Sequence, residues 1–144
     1  MPLVFVYGTL RAGEANDLNE AARRHGLPAP RLVGQGWVRG ALHDFGDYPG
    51  YVPAGAANDN GLVHGDIYEI DEALIPVLDE IEEVYPGEAT LFVRAEQAVS
   101  CEGGTLQCLL YPVQAAAAAR MPRIDGGDWV RHRRARDGKG VAVK

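Results

Sequence analysis

The sequence predicts an α+β fold built on a mixed, strongly curved sheet or small barrel with a few helices, and three observations point to it. Strand-like segments outnumber helical ones, in the order β-α-β-β-β-α-β-β with a short helix after them. Several connections read as hairpins, which argues against a doubly wound parallel sheet. The chain has 144 residues, 47% hydrophobic and 24% charged, which suits one ordinary globular domain. A chain of this length buries roughly two-thirds of its unfolded surface, enough to fold without staples.

The first strand covers residues 3–7, an apolar and β-branched run that requires cover on both faces. It stops at Gly8-Thr9. Residues 16–25 form a short helix, capped by Asn16 or Asp17 and ended by Gly26 and Pro28, with Leu18, Ala21 and Ala22 on one face. A second strand lies around residues 35–43, then a turn-rich loop (44–50) and a short extended piece (51–54). Residues 57–61 end in Asn60-Gly61, a hairpin signal. The strand at 62–70 has Gly65 in its interior, which indicates a bulge or a close approach. Residues 71–83 are helical, with Leu74, Val77, Leu78 and Ile81 as an apolar stripe. Pro76 forces a break there or a helix that starts with Pro76 in its first turn. Tyr85-Pro86-Gly87 ends the segment. Strands at 90–99 and 106–113 are antiparallel partners, and 115–120 is a short helix. A single domain over 1–136 and a poorly ordered tail over 137–144 complete the expectation.

The formal net charge of −6 argues against a general nucleic-acid-binding role. The run Arg131-His132-Arg133-Arg134-Ala135-Arg136 reads as a solvated element near the C-terminus or as a contact for a partner or anion. Cys101 and Cys108 flank Gly103-Gly104. A turn centred on that pair sets Cys101 opposite Leu106 and Cys108 opposite Val99, so the thiols stay free and a reducing compartment fits. His25, His43, His64 and His132 are scattered, and no metal-ligand spacing occurs. No signal peptide or membrane-spanning run is expected, and the simplest location is cytoplasmic.

Three features can carry chemistry. The Tyr7-Gly8-Thr9-Leu10 turn can aim bare backbone N–H groups at an anion or a polarised carbonyl, or can simply end a core strand. It lacks the phosphate-loop and dinucleotide patterns. The carboxylates Asp79, Glu80, Glu82 and Glu83 lie on one helix, with Asp79 and Glu82 on one face at the margin of the apolar stripe. A half-buried carboxylate there has a raised pKa, which suits a general acid/base; a solvated acidic face is the plainer alternative. Tyr111, at the end of a strand, can pack in the core or aim its hydroxyl into a pocket.

Four segments also carry a family likeness: Val4-Phe5-Val6-Tyr7-Gly8-Thr9-Leu10-Arg11, Val63-His64-Gly65-Asp66-Ile67-Tyr68-Glu69-Ile70, Leu78-Asp79-Glu80-Ile81-Glu82 and Ile124-Asp125-Gly126-Gly127-Asp128-Trp129. Together they resemble the γ-glutamylcyclotransferase-like family, the group of γ-glutamylamine cyclotransferase and the plant AIG2-like proteins. The resemblance implies a small mixed, mainly antiparallel β-barrel with flanking helices, and a cavity between the opening turn and the L-D-x-x-E helix. It implies conversion of a γ-glutamyl compound to 5-oxoproline and a free amine, with no cofactor and no metal.

By the same likeness Glu82 is the catalytic acid/base; Gly8, Thr9 and Leu10 hold the substrate carboxylate or oxyanion; Tyr7 walls the pocket; Tyr111 hydrogen-bonds there; and Asp79 fixes the helix or orients the site rather than doing chemistry. Two departures stand out: Glu83 where many relatives have Gly, and Phe92-Val93-Arg94, after a longer stretch, where many have Tyr-x-Arg. The partner implied is a small-molecule γ-glutamyl substrate, without nucleic acid or membrane; a homodimer stays open. Two other readings remain: a deprotecting cyclotransferase acting on a larger γ-glutamylated product, and a non-catalytic module that binds a small carboxylate ligand.

Overall fold

The computed structural model describes residues 1–55, 61–84 and 90–142, with backbone only from residue 138 onward. Six strands form one sheet: β1 (Leu3–Val6), β2 (Arg31–Asp44), β3 (Pro49–Pro53), β4 (Leu62–Glu69), β5 (Ala95–Cys101) and β6 (Gly104–Leu110). Their order is β3-β2-β4-β1-β6-β5, and β5 returns to pair with β2. Five strands therefore close into a barrel and β3 lies outside it, hydrogen-bonded to β2. Every pairing is antiparallel except β1 with β6, where Val4 lies beside Leu109. The expected small mixed barrel is the fold observed.

Strand β1 is covered on both faces, as its composition required. Phe5 and Tyr7 enter the barrel core with Tyr51, Ile67, Val99, Leu110 and Trp129. Val4 and Val6 join a second cluster with Ile70, just after β4, and with Leu18, Leu74 and Leu78 from the flanking helices. Gly65 of β4 is the close approach that its position suggested: a Cβ there would lie 2.3 Å from the Val6 carbonyl oxygen.

Helix α1 (Leu18–Arg24) starts at Asp17, whose carboxylate accepts from the Asn19 N–H at 2.9 Å. Helix α2 (Leu74–Ile81) begins with Pro76 in its first turn, where no intrahelical donor is needed. The two helices end alike. Leu27 N–H reaches Ala22 O and Gly26 N–H reaches Arg23 O after α1; Val84 N–H reaches Asp79 O and Glu83 N–H reaches Glu80 O after α2. This is the Schellman closure, which needs a left-handed residue in the middle. Gly26 supplies it in the first case (φ 64°) and Glu83 in the second (φ 56°), the only described non-glycine residue with positive φ.

Several boundaries differ from expectation. Strand β2 begins at Arg31, four residues early, because Arg31 and Leu32 pair with Glu69 and Tyr68 before a bulge at residue 33. Strand β3 begins at Pro49. Strand β5 starts only at Ala95 and β6 stops at Leu110; Phe92 and Val113 meet in an isolated bridge beyond them. The β5–β6 turn is Glu102-Gly103, with Gly103 at φ 91° in the second position, so Gly104 is already paired with Cys101 and Cys108 faces Gln97. The cysteines are free, as expected, but their opposite residues are not Leu106 and Val99. The hairpin signal at Asn60-Gly61 falls mostly on residues 56–60, and Tyr85-Pro86-Gly87 on 85–89, outside the described residues.

A short helix α3 (Ala115–Ala118) is followed by α4 (Trp129–Ala142), which extends past residue 137, where the tail was expected to begin. Asp128 starts it by accepting from the Arg131 N–H at 3.1 Å. The basic run lies on this helix; His132, Arg133 and Arg136 are tied to the chain's own carboxylates, while Arg131 and Arg134 are exposed. Arg133 holds Glu14 through two 2.7 Å hydrogen bonds, and His132 and Arg136 both reach Asp44. Among the described residues no helix is long and apolar enough to cross a membrane.

Candidate active site

The turn after β1 lies at one end of the barrel, opposite the C-terminal end of α2. Between them is a recess lined by Val6, Tyr7, Gly8, Thr9, Leu10, Tyr48, Pro49, Glu82, Phe92 and Tyr111, with Phe5 at its base. All six residues expected at the site are therefore on one concavity. Gly8 packs so tightly on Pro49 that a Cβ would fall 2.6 Å from its Cγ, so the turn accepts no side chain there. Among the described residues, the backbone N–H groups of Gly8, Thr9 and Leu10 have no hydrogen-bond partner. The turn is held from behind: Asn16 donates from its backbone to Thr9 O at 2.8 Å and from its side chain to Thr9 Oγ1 at 3.0 Å.

Tyr7 is buried, and its hydroxyl is committed to the fold. It donates to Tyr111 O at 2.6 Å and accepts from Tyr51 N–H at 3.2 Å. Burial pushes its pKa well up, and the nearby Glu82 carboxylate adds to the shift. Tyr111 donates to Asp79 Oδ1 at 2.7 Å, while Arg94 Nη1 donates to Asp79 Oδ2 at 2.6 Å. Burial first, then the hydrogen bond to Asp79, drives the Tyr111 hydroxyl far above its ordinary pKa, so it stays a donor.

Glu82 is different. It follows the last turn of α2 as its C-cap, with its N–H on Leu78 O, and no donor among the described residues meets its carboxyl group. Part of its surface opens to the cleft, yet the surrounding protein displaces most of its water. Burial alone raises its pKa to about 7 from an ordinary 4.5. A carboxyl group poised there exchanges a proton readily near neutral pH.

Tyr48 and Pro49 are lining residues that the sequence does not single out, and Phe92, a departure from the family pattern, joins them. Tyr48 and Phe92 touch across the mouth, ring centroids 5.7 Å apart. They come from segments 44 residues apart in sequence, and only the closed barrel brings them together; the aromatic content of the 44–50 loop was the one available signal. Within Phe92-Val93-Arg94 the departure is Phe92, not Arg94, and the structure gives Arg94 a partner, Asp79. Among the described residues no three His, Cys, Asp or Glu side chains are grouped to hold a metal ion.

A small barrel carrying an unpaired, buried carboxyl group across a recess from a bare backbone turn defines the class: a cleft suited to acid/base chemistry on a small polar ligand. The chain belongs to the γ-glutamyl cyclotransferase, AIG2-like family, whose model matches residues 4–131. It is 39% identical over 108 residues to γ-L-glutamyl-butirosin B γ-glutamyl cyclotransferase of Niallia circulans, covering 73% of this chain and 62% of that one. It is 34% identical to γ-glutamylaminecyclotransferase of Bos taurus, over 75% of this chain and 63% of the relative, so it spans about three-fifths of each of these two proteins. The γ-glutamylcyclotransferase family protein YtfP of Escherichia coli K12 is 31% identical over 88% of this chain and 95% of its own length. Among solved structures, an AIG2-like protein from Mus musculus superposes with a TM-score of 0.69 at 25% identity, over 87% of this chain and 86% of that one.

Proposed function

We propose that this chain is a γ-glutamylcyclotransferase that releases an amine from a γ-glutamyl conjugate as 5-oxoproline forms, with Glu82 as the general acid/base. The observation that carries the reading is Glu82 itself, unpaired in the recess that the Gly8–Thr9 turn also lines, with its pKa raised to about 7 by burial. The substrate's α-ammonium cannot attack while protonated. Glu82 takes one proton, and the freed nitrogen attacks the γ-carbonyl carbon. The new ring C–N bond forms, the amide C–N bond breaks, and the attacking nitrogen loses its second proton. The departing nitrogen gains both, passed through Glu82, so no water or external reductant is consumed.

The N–H groups of Gly8, Thr9 and Leu10 serve as fixed donors for the α-carboxylate or the oxyanion. Tyr7 and Phe92 wall the recess and favour a folded, near-attack substrate. Tyr111, held by Asp79, fixes the Glu82 side of the pocket. The test is 5-oxoproline release from γ-glutamyl compounds by wild type and Glu82→Gln. Release by wild type that falls about 10²–10⁴-fold in the variant supports the role of the base; undiminished turnover in Glu82→Gln removes Glu82 from the chemistry.

A second reading, deprotection of a larger γ-glutamylated product, is favoured by the wider chamber outside the recess and by the likeness to the butirosin enzyme. Turnover confined to bulky conjugates would distinguish it. A third, a module that only binds a small carboxylate ligand, predicts saturable binding without product.

A further inference from the structure

Outside the recess the cleft widens into a chamber, and Thr9, Tyr48, Glu82 and Phe92 wall both. The charged side chains of the chamber wall are Asp47, Glu82 and Glu83, all carboxylates, and no Lys, Arg or His lines it among the described residues. Asp47 and Glu83 are exposed, and neither has a salt bridge or side-chain hydrogen bond among the described residues. Nearby arginines are already committed: Arg94 to Asp79, Arg133 to Glu14 and Arg136 to Asp44. Glu82, buried and without a donor, faces this same space.

A concavity walled by charges of one sign focuses its field on whatever enters. We propose that the amine released here is itself cationic: a di- or polyamine, with at least one ammonium group besides the scissile nitrogen, received by Asp47 and Glu83. The proposal rests on the cyclotransferase reading and adds the class of leaving group to it. A leaving amine that ends in a carboxylate would enter among three carboxylates and is disfavoured. The second ammonium takes no part in bond breaking; it selects and orients. Glu83 is well placed to do so because the helix ends on it rather than on glycine, which puts a side chain at the chamber wall where a Schellman closure ordinarily has none.

The test uses three γ-glutamyl conjugates of equal length, made from 1,5-diaminopentane, hexylamine and 6-aminohexanoate. Their far ends are an ammonium, a methyl and a carboxylate. Binding to Glu82→Gln is measured by titration calorimetry, and 5-oxoproline release by wild type. Affinity is expected to fall in that order, by about tenfold or more across the set, as two exposed charge contacts would produce. The preference is expected to shrink in high salt, and to narrow to within about threefold when Asp47→Asn and Glu83→Gln are added. Equal affinities, an order that survives those two substitutions, or no binding by any conjugate overturns the proposal. The two readings fail separately. A charge order in binding with no 5-oxoproline from wild type sinks the reaction and leaves the cation preference, whereas release at equal kcat/KM does the reverse.

Discussion

Asp79 and Glu82 lie three residues apart on one stretch of chain, and the protein treats them in opposite ways. Asp79 is matched on both oxygens, by Tyr111 and by Arg94. Glu82 is matched by nothing among the described residues and keeps a pKa near 7. The other inward-facing carboxylates follow Asp79: Glu14 is bound by Arg133, Asp44 by His132 and Arg136, and Asp66 by Arg11. A chain that supplies a partner to four buried or half-buried carboxylates and withholds one from the fifth separates structure from chemistry. Paired groups fix geometry; the unpaired one can change its protonation state.

The largest test of that contrast is catalytic. Glu82→Gln should lower 5-oxoproline release about 10²–10⁴-fold, while Asp79→Asn, which keeps the shape but loses the charge and turns one of its two acceptors into a donor facing Arg94 or Tyr111, should cost roughly tenfold, in a comparison of kcat for both variants. Equal losses would erase the distinction.

The next test is stability against pH. The folded pKa of Glu82 lies above its unfolded value, so the native state holds a proton that the unfolded chain gives up, and stability falls as pH rises from about 4.5 to about 7. Glu82→Gln lacks that penalty. It should match wild type near pH 4 and exceed it by up to about 3 kcal/mol at pH 8 in urea unfolding. A constant offset across that range would mean that Glu82 is not desolvated in the native state.

Arg133→Gln reverses the logic, stranding the carboxylate of Glu14, whose side chain is only 3% exposed. Because Arg133 is itself partly exposed, the expected loss is about 2 kcal/mol rather than the full cost of an orphaned charge. The urea midpoint reads it directly. The smallest effect belongs to Glu83→Gly, which relieves a left-handed φ and should stabilise by about 1 kcal/mol in thermal unfolding. A loss of stability there would show that the Glu83 side chain makes contacts that outweigh its backbone strain.

Local signals were legible in the sequence where local physics decides. The strand that stops before Gly8, the Asp17 cap and the place of Pro76 in the first turn of α2 all follow from short-range rules. Tyr7, Gly8, Thr9, Leu10, Glu82 and Tyr111 line one recess, a grouping that the family likeness implied and that spacing alone could not give. What was illegible depends on distant partners. Strand β2 begins at Arg31 because β4 is there to receive it. Arg94 gains a role only beside Asp79, and Tyr48 and Phe92 only across a closed barrel. His132, Arg133 and Arg136 of the basic run are committed because Glu14 and Asp44, about ninety residues or more away in sequence, sit beneath them.

Strand β1 lies between β4 and β6, and the Tyr7 hydroxyl donates to a carbonyl 104 residues further along. The segment that opens the cleft is therefore the first of its residues to leave a ribosome and among the last to find its neighbours. Until residue 111 has emerged, Val4 has no partner on its parallel edge and Tyr7 no acceptor. A nascent chain is thus without a closed recess until the strand that carries Tyr111 arrives, and then gains it almost all at once.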